Sequence, residues 1–259
     1  MEPFLSRDGA WLLFNNRNSP EDQTDLHAAR RISATAFSYA GPITGANSVA
    51  LDGVPSLDRD GNLYFVSNRD YDASLNTLWT AQFKEGMATG AAALTGDAPR
   101  RQLLWLNIDA EISANGDRLY FAENRWGLFG GGLKSSDILV AARDATGAFN
   151  RLPDAEDLFD KVNTKLLEFA PALTDDELTL YFTRLDMQAA RKGKPGAFGI
   201  FVSTRPSVSA AFGPPVRIEA IKGYTEAPSV SPDGCSIYFH ELQQDVFRIR
   251  MTSRTDCKG

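Results

Sequence analysis

The chain has 259 residues, 43% of them hydrophobic, and it carries a formal net charge of −6. This length allows a large core within one all-β domain, and no stretch approaches the roughly 20 apolar residues that a membrane helix needs. The acidic balance argues against a nucleic-acid partner, because phosphate binding requires a basic face. We therefore expect no nucleic-acid ligand and no transmembrane segment.

One segment recurs five times, in the approximate form Pro-x-Leu-Ser-x-Asp-Gly followed by an aromatic strand. The copies begin at Pro3, Pro55, Ala110, Pro171 and Pro228, so successive copies start 52 to 61 residues apart. A period of this size is typical of propellers, solenoids and arrays. Solenoid coils are usually shorter, and a β-solenoid or an open array is the alternative to a propeller.

Each repeat contains the same predicted elements in the same order: a first strand, a tight turn, and then second, third and weaker fourth strands. The turn is Asx-Gly in four repeats, a pair that favours hairpins because both positions tolerate positive φ. The second strands are aromatic and branched, which suits a buried pleated surface. They lie at 11–14, 63–65, 119–121, 180–182 and 237–239, and the third strands at 25–30, 77–81, 137–143, 199–205 and 245–250.

Four antiparallel strands per repeat make one propeller blade. The sequence therefore predicts an all-β fold, a five-bladed β-propeller of four-stranded antiparallel blades, in a single domain over residues 1–259. The expected blades span approximately 1–51, 52–107, 108–166, 167–224 and 225–259. The fifth repeat ends soon after its third strand, so we expect either a three-stranded last blade or completion by a segment preceding Met1.

The two cysteines fall at related points of the fifth repeat. Cys235 starts its second strand and Cys257 follows its third strand. Because those points are neighbours in an antiparallel hairpin, we predict Cα atoms within about 7 Å, close enough to bridge. A disulfide would tie down the end of the chain and imply an oxidising compartment; two independent thiols are the alternative.

The repeat Pro-x-Leu-Ser-x-Asp-Gly-x-x-Leu-Tyr-Phe, followed by Asn-Arg and then Asp-Ile-x-Val-Ala-x-Arg, resembles the TolB-type, WD-like β-propeller repeat. The segments that carry the resemblance include 121–125, 162–164 and 168–171, and it extends over almost the whole chain. It is most similar to periplasmic and outer-membrane-associated members, which implies a periplasmic or secreted protein whose signal peptide has been removed. The family includes protein-binding propellers, peptidase-gating domains and lyases, mostly with six or seven blades, so five blades are a departure.

Strand direction places two sets of residues at one mouth of the expected channel. One acid precedes the first strand of each repeat: Glu2, Asp52, Asp109, Glu168 and Glu226. Polar residues follow each second strand: Arg17, Arg69, Arg125, Arg184 with Asp186, and His240 with Glu241. A feature present in every repeat is typical of architecture, so we interpret the acids as acid–Arg or acid–backbone ties that close each blade.

Departures from the repeat predict the binding residues, since long loops on a rigid scaffold tend to carry function. His240 and Glu241 replace Asn-Arg, Trp126 precedes a glycine-rich loop at 127–136, and a basic loop occupies 190–196. His27, in a third strand, is expected to be a packed or surface residue. The predicted ligand-binding set is Arg17, Arg69, Tyr71, Arg125, Trp126, Arg184, Asp186, His240 and Glu241.

The chemistry predicted for this mouth is binding rather than catalysis. Two distant histidines and no cysteine pair at ligand spacing lead us to expect no metal and no cofactor. The leading hypothesis is a monomeric, non-enzymatic cell-envelope propeller for a peptide, protein or glycan ligand. The alternative is a glycosidase or polysaccharide lyase, because some five-bladed propellers are glycosidases that use acids of the innermost strands. Its candidate catalytic residues are Asp109, Glu111, Glu168 and Glu226.

Overall fold

A computed structural model describes residues 1–17, 23–99, 102–128, 131–194, 196–255 and 257. Each repeat forms an antiparallel meander in which sequence neighbours pair. The first two repeats give two four-stranded sheets. Their strands are β1 (Phe4–Leu5), β2 (Trp11–Asn15), β3 (Leu26–Arg31) and β4 (Phe37–Pro42), then β5 (Asp52–Leu57), β6 (Asn62–Ser67), β7 (Leu78–Lys84) and β8 (Met87–Ala93).

The third and fourth repeats share one eight-stranded sheet. Two antiparallel halves are joined by a single parallel pair, Ser136 with Leu167. The first half contains β9 (Trp105–Ile112), β10 (Arg118–Trp126), β11 (Leu133–Arg143) and β12 (Phe149–Arg151). The second half contains β13 (Leu167–Leu173), β14 (Thr179–Leu185), β15 (Phe198–Thr204) and β16 (Val216–Arg217).

The fifth repeat forms a three-stranded sheet in the described part of the chain. Its strands are β17 (Tyr224–Val230), β18 (Ser236–Gln243) and β19 (Val246–Ser253), and the short helices of the fold are α1 (Tyr71–Ser74), α2 (Ala155–Leu158) and α3 (Met187–Arg191). A disulfide joins Cys235 to Cys257 with a Cα–Cα distance of 5.7 Å. The predicted proximity of the cysteines and the all-β class are therefore confirmed.

The tight turns differ from the prediction in one respect. At Asp8-Gly9 only the glycine has positive φ, at 70°. Asp8 instead accepts a hydrogen bond from the Ser6 hydroxyl at 2.5 Å, and Ser6 in turn accepts one from the Trp11 amide at 2.9 Å. The serine and aspartate of the repeated sequence are thus explained by side-chain bonds within the turn.

Each repeat has one left-handed residue at the same position, directly before the residue at which the repeated segment begins. The five residues are Glu2, Val54, Asp109, Ala170 and Ala227, with φ between 48° and 56°. In the second to fifth repeats the pairing of first and second strands shifts register at this point, which marks a β-bulge. All five residues line one small cavity of about 20 Å³. The repeats therefore bring the same structural position to a common axis.

Candidate functional site

The acids expected before the first strands make close contacts at one end of the axis, but four of them lie within those strands: Asp52, Asp109, Glu168 and Glu226. Glu168 is fully buried, and Arg184 donates to it from Nε at 2.7 Å. The Thr164 amide and hydroxyl donate to the same carboxylate at 3.0 and 2.7 Å. The Arg184 guanidinium also lies 4.7 Å from the centre of the Phe201 ring. Glu168 and Arg184 thus pair with each other and with neighbouring groups of the protein, as a structural tie requires.

Asp52 repeats this arrangement. Its carboxylate is fully buried, pairs with Arg69 at 2.5 Å, and accepts from the Ser48 amide and hydroxyl at 2.5 and 2.8 Å. The expected acid–Arg tie is therefore present in the second and fourth repeats. Arg69 and Arg184, predicted as ligand-binding residues, are both engaged in it.

The fifth repeat uses a histidine in place of the arginine. His240 is fully buried, with Nε2 2.9 Å from Glu226. The backbone amide of Glu2 donates to His240 Nδ1 at 3.0 Å. Since that amide can only donate, Nδ1 accepts and Nε2 carries the proton directed at Glu226. One imidazole thus links the last repeat to the first.

The third repeat breaks the acid–Arg pattern. Asp109 accepts from the Ala170 amide at 3.0 Å, whereas the Arg125 guanidinium lies 5.8 Å from the Trp105 ring centre. Burial raises the pKa of Asp109 well above its usual range, and the Glu2 carboxylate raises it further. Burial likewise raises the pKa of Glu2, although His240 opposes this shift. The axis thus holds carboxyl groups whose environment favours the protonated form.

Glu111 lies toward the other end of the axis, where the Asx-Gly turns are. Arg7, from the first repeat, pairs with it at 2.9 Å and also donates to the Ile112 carbonyl at 2.6 Å. The Ser56 hydroxyl donates to the second carboxylate oxygen at 2.9 Å. Burial raises the pKa of Glu111, while Arg7 lowers it. This candidate acid thus lines the axial cavity together with Glu2 and Asp109 and is paired with an arginine.

The departures from the repeat fall into separate places on the mouth face. Trp126 is 40% exposed, and Tyr71 donates to the Trp105 carbonyl at 3.3 Å, so Tyr71 and Arg125 both contact Trp105. Asp186 accepts from the Ala189 amide at 2.9 Å and caps α3. The other two predicted binding residues are apart from these. Glu241 pairs with Arg250 at 2.9 Å, and Arg17 lines a cavity beside β19. Residues 129, 130 and 195 of the predicted loops lie outside the described residues.

A larger groove opens beside the axis, between the fourth and fifth repeats. Its volume is about 830 Å³. It is lined by the end of α3 and the loop after it, the start of β15, Arg217 of β16, and then Glu219, Lys222, Gly223 and Tyr224. The basic loop at 190–196 indicated this region from sequence. Phe198, Arg217, Lys222 and Tyr224 were missed, because they lie in three separate segments that only the fold brings together.

The described residues show neither a metal-binding cluster nor a membrane-spanning helix. Among them there is no group of three or more His, Cys, Asp or Glu side chains placed to hold a metal ion. Within the same ranges, no helix is long and apolar enough to cross a membrane.

Comparison with known proteins gives a likeness of fold. No family model and no curated protein matches the chain. An arabinanase from Bacillus subtilis has a TM-score of 0.60 at 13% identity, over 97% of this chain and 93% of that one. TolB from Acinetobacter baumannii has 0.52 at 12% identity, over 98% and 51%. A putative TolB from Agrobacterium tumefaciens has 0.52 at 16%, over 97% and 76%.

The chain thus spans about half the length of the Acinetobacter TolB structure that it matches. At identities this low, the structural similarities establish a shared fold and no shared activity. Together with the four-stranded antiparallel sheets, they identify the fold as a β-propeller.

Proposed function

We propose that the chain is a five-bladed, TolB-type propeller of the cell envelope that binds a peptide, protein or glycan at the mouth bearing Glu226 and His240. It does so as a monomer and without converting its ligand. The five left-handed residues around one cavity support five blades. The disulfide between Cys235 and Cys257 supports an oxidising location such as the periplasm.

One observation carries the proposal: the contrast between the axis and the groove beside it. The axial cavity of about 20 Å³ has room for about one water molecule. Ligand sites usually have about 300–1,000 Å³, which the groove of about 830 Å³ satisfies. The candidate catalytic acids Glu111 and Glu168 are already paired with arginines. Space for a ligand therefore lies beside the acids and not among them.

The second candidate function is carboxylate catalysis by a glycosidase or lyase. The raised pKa of Asp109 is the observation that favours it, since a general acid must keep its proton near neutral pH. The arabinanase with a similar fold is an enzyme. This alternative requires the axial cavity to widen when a sugar binds.

Two substitutions at the acids separate the candidates. For a binding propeller, Glu168→Gln leaves Arg184 buried without its charged partner, so thermal melting should show a loss of about 3 kcal/mol. Glu226→Gln keeps an oxygen that can accept from His240 Nε2, so its loss of stability should be smaller. Neither variant should differ from the parent in an assay of plant and bacterial polysaccharide breakdown. Stable variants that have lost a polysaccharide-degrading activity of the parent would support the enzyme instead.

Binding itself is tested with an array of envelope peptides, neutral glycans and acidic glycans. Trp126→Ala, at an exposed site, should weaken retention of the bound member while leaving the melting temperature nearly unchanged. Ile32→Ala is the control, because Ile32 is 68% exposed but lies beyond β3 at the opposite end of the strands. A parent protein that retains no member of the array would contradict the binding proposal.

A further inference from the structure

The groove between the fourth and fifth repeats is basic, although the whole chain is acidic. Four cations line it, Arg191, Lys194, Arg217 and Lys222, against one acid, Glu219. The net charge of the chain is −6. Within the described residues no carboxylate oxygen lies within 4.0 Å of any of these four cationic groups. Among the described residues the groove thus has an excess of positive charge that is not paired with a carboxylate, which favours an anionic ligand.

Arg217 is held in place before any ligand arrives. Its guanidinium donates to the Gly196 carbonyl at 2.9 Å and to the Phe198 carbonyl at 2.7 Å. A side chain at Gly199 would lie 3.0 Å from the guanidinium carbon, so glycine is what lets the arginine lie flat there. Two of the five N–H donors are used, which leaves three for a ligand in a fork geometry that suits carboxylates.

The inner wall of the groove is aromatic. The Phe198 and Tyr224 rings lie 3.9 Å apart at 35°, and Tyr224 packs edge-on against Phe247, which packs against His240. Burial and then the Glu226 carboxylate raise the pKa of Tyr224. The wall thus extends from the groove to the Glu226–His240 pair. The raised pKa keeps the Tyr224 hydroxyl neutral, while the rim of the groove carries the cationic side chains.

We infer that this groove binds an extended acidic peptide segment, whose Asp or Glu carboxylates pair with Arg217, Lys194 and Lys222. The inference rests on the proposed function and assigns its ligand class and its position. A peptide is favoured over an acidic glycan for two reasons. Phe198 and Tyr224 cover each other's faces, so they offer little stacking surface to a sugar ring. Gly193, Gly196 and Gly223 expose backbone along the groove, where a second backbone can approach.

The test uses a fluorescein-labelled hexaglutamate peptide, with hexaglutamine as its neutral counterpart and polygalacturonate as the acidic glycan. Fluorescence anisotropy should show saturable hexaglutamate binding at about 20 mM salt that weakens at about 500 mM, because exposed charges are screened. Hexaglutamine should not bind, and polygalacturonate should compete poorly.

Charge reversals locate the site. Lys194→Glu combined with Lys222→Glu should weaken hexaglutamate binding at least about tenfold. Lys192→Glu is the matched control, since this exposed lysine belongs to the same loop but does not line the groove. Arg217→Lys keeps the charge and loses the fork, so it should fall between the two. Melting curves check that each variant is folded.

Three results would overturn the inference: no hexaglutamate binding by the parent, equal loss in Lys192→Glu, or binding of polygalacturonate in preference to the peptide. If an array member is retained through Trp126 while the groove variants behave like the parent, the binding function stands and this assignment of its ligand is wrong. Polysaccharide breakdown by the parent would contradict the proposed function itself.

Discussion

Arg7 makes contacts that no sequence pattern predicts. Its guanidinium donates to Glu111 and to the Ile112 carbonyl in the third repeat, and it contacts Asp175 at 3.3 Å in the fourth. Its Nε also donates to the Leu57 carbonyl in the second repeat at 3.3 Å. Arg7 occupies the variable position of the repeated turn, where the residue type gives no sign of its role. The Arg7 side chain of the first repeat therefore contacts the second, third and fourth repeats.

The buried carboxyl of Asp109 gives a pH-dependent prediction. Its pKa is raised well above the usual range in the folded chain, so the folded state holds a proton that the unfolded state releases at lower pH. The contribution of Asp109 to the free energy of unfolding is therefore fully present below about pH 4, and it is lost as the pH rises through the folded pKa. Asp109→Asn should exceed the parent in free energy of unfolding, by an amount that grows with pH above about 4.

The measurement is urea unfolding of both proteins between about pH 4 and pH 8. Asparagine can still accept from the Ala170 amide, so the packing is preserved. Glu168→Gln serves as the comparison, since its parent carboxylate is paired with Arg184 and the variant should lose stability. A constant difference between Asp109→Asn and the parent across this range would contradict the assignment.

At the scale of the element, the strands were predictable and their irregularities were not. The second strand expected at 63–65 lies within β6, and that expected at 180–182 lies within β14, because aromatic and branched side chains require burial. The bulge at Val54 has no comparable signal, since a β-branched residue rarely adopts positive φ. It is imposed by the convergence of five first strands on one axis, a tertiary constraint that single-residue preferences do not contain.

The disulfide stabilises the last sheet. Cys235 and Cys257 are separated by 22 residues, and closing a loop of that size in the unfolded chain corresponds to about 3 kcal/mol in the chain-entropy description. β19 pairs only with β18 in the described part of the chain, so it depends on this link more than β17 does. Cys235→Ser with Cys257→Ser should lose about this amount of stability.

Hydrogen exchange localises the effect. Amides of β19 should exchange faster in the double serine variant, while those of β6 in the second repeat stay protected. Uniform acceleration across all the sheets, or no change in β19, would show that the link does not act on this element.

For the whole molecule, the repeat predicted the architecture because each copy occupies one continuous stretch of sequence. The groove could not be predicted in the same way. Lys194, Arg217 and Tyr224 belong to different strands or loops, and their approach depends on how the fourth and fifth repeats pack. Arg69 and Arg184 show the reverse case: the repeat pattern placed each beside an acid, and each pairs with that acid in the structure.

The first and last repeats meet through a small set of contacts. The Leu5 amide donates to the Ser229 hydroxyl at 3.1 Å, and Phe37 packs edge-on against Tyr238. The Ile112 amide donates in the same way to Ser56, at 3.0 Å, between the second and third repeats. Ser229→Ala should remove about 1 kcal/mol and accelerate exchange chiefly in β1 and β17.

Ser56→Ala is the internal comparison. It also removes a donor to Glu111, so it should lower the unfolding midpoint more than Ser229→Ala does. If the two variants have equal unfolding midpoints, and exchange of the Leu5 amide is unchanged in Ser229→Ala, the junction of the first and last repeats does not open independently of the rest of the protein.

Every antiparallel meander is made from one uninterrupted stretch of chain, and no strand is exchanged between distant repeats in the described residues. A ribosome therefore delivers each sheet complete, in order from the first repeat to the fifth, and earlier sheets need not wait for later ones. The Glu2–His240 and Leu5–Ser229 hydrogen bonds and the packing of Phe37 against Tyr238 require both ends of the chain. The contacts between the first and fifth repeats consequently form after the fifth repeat has been synthesised, together with the Glu226 mouth.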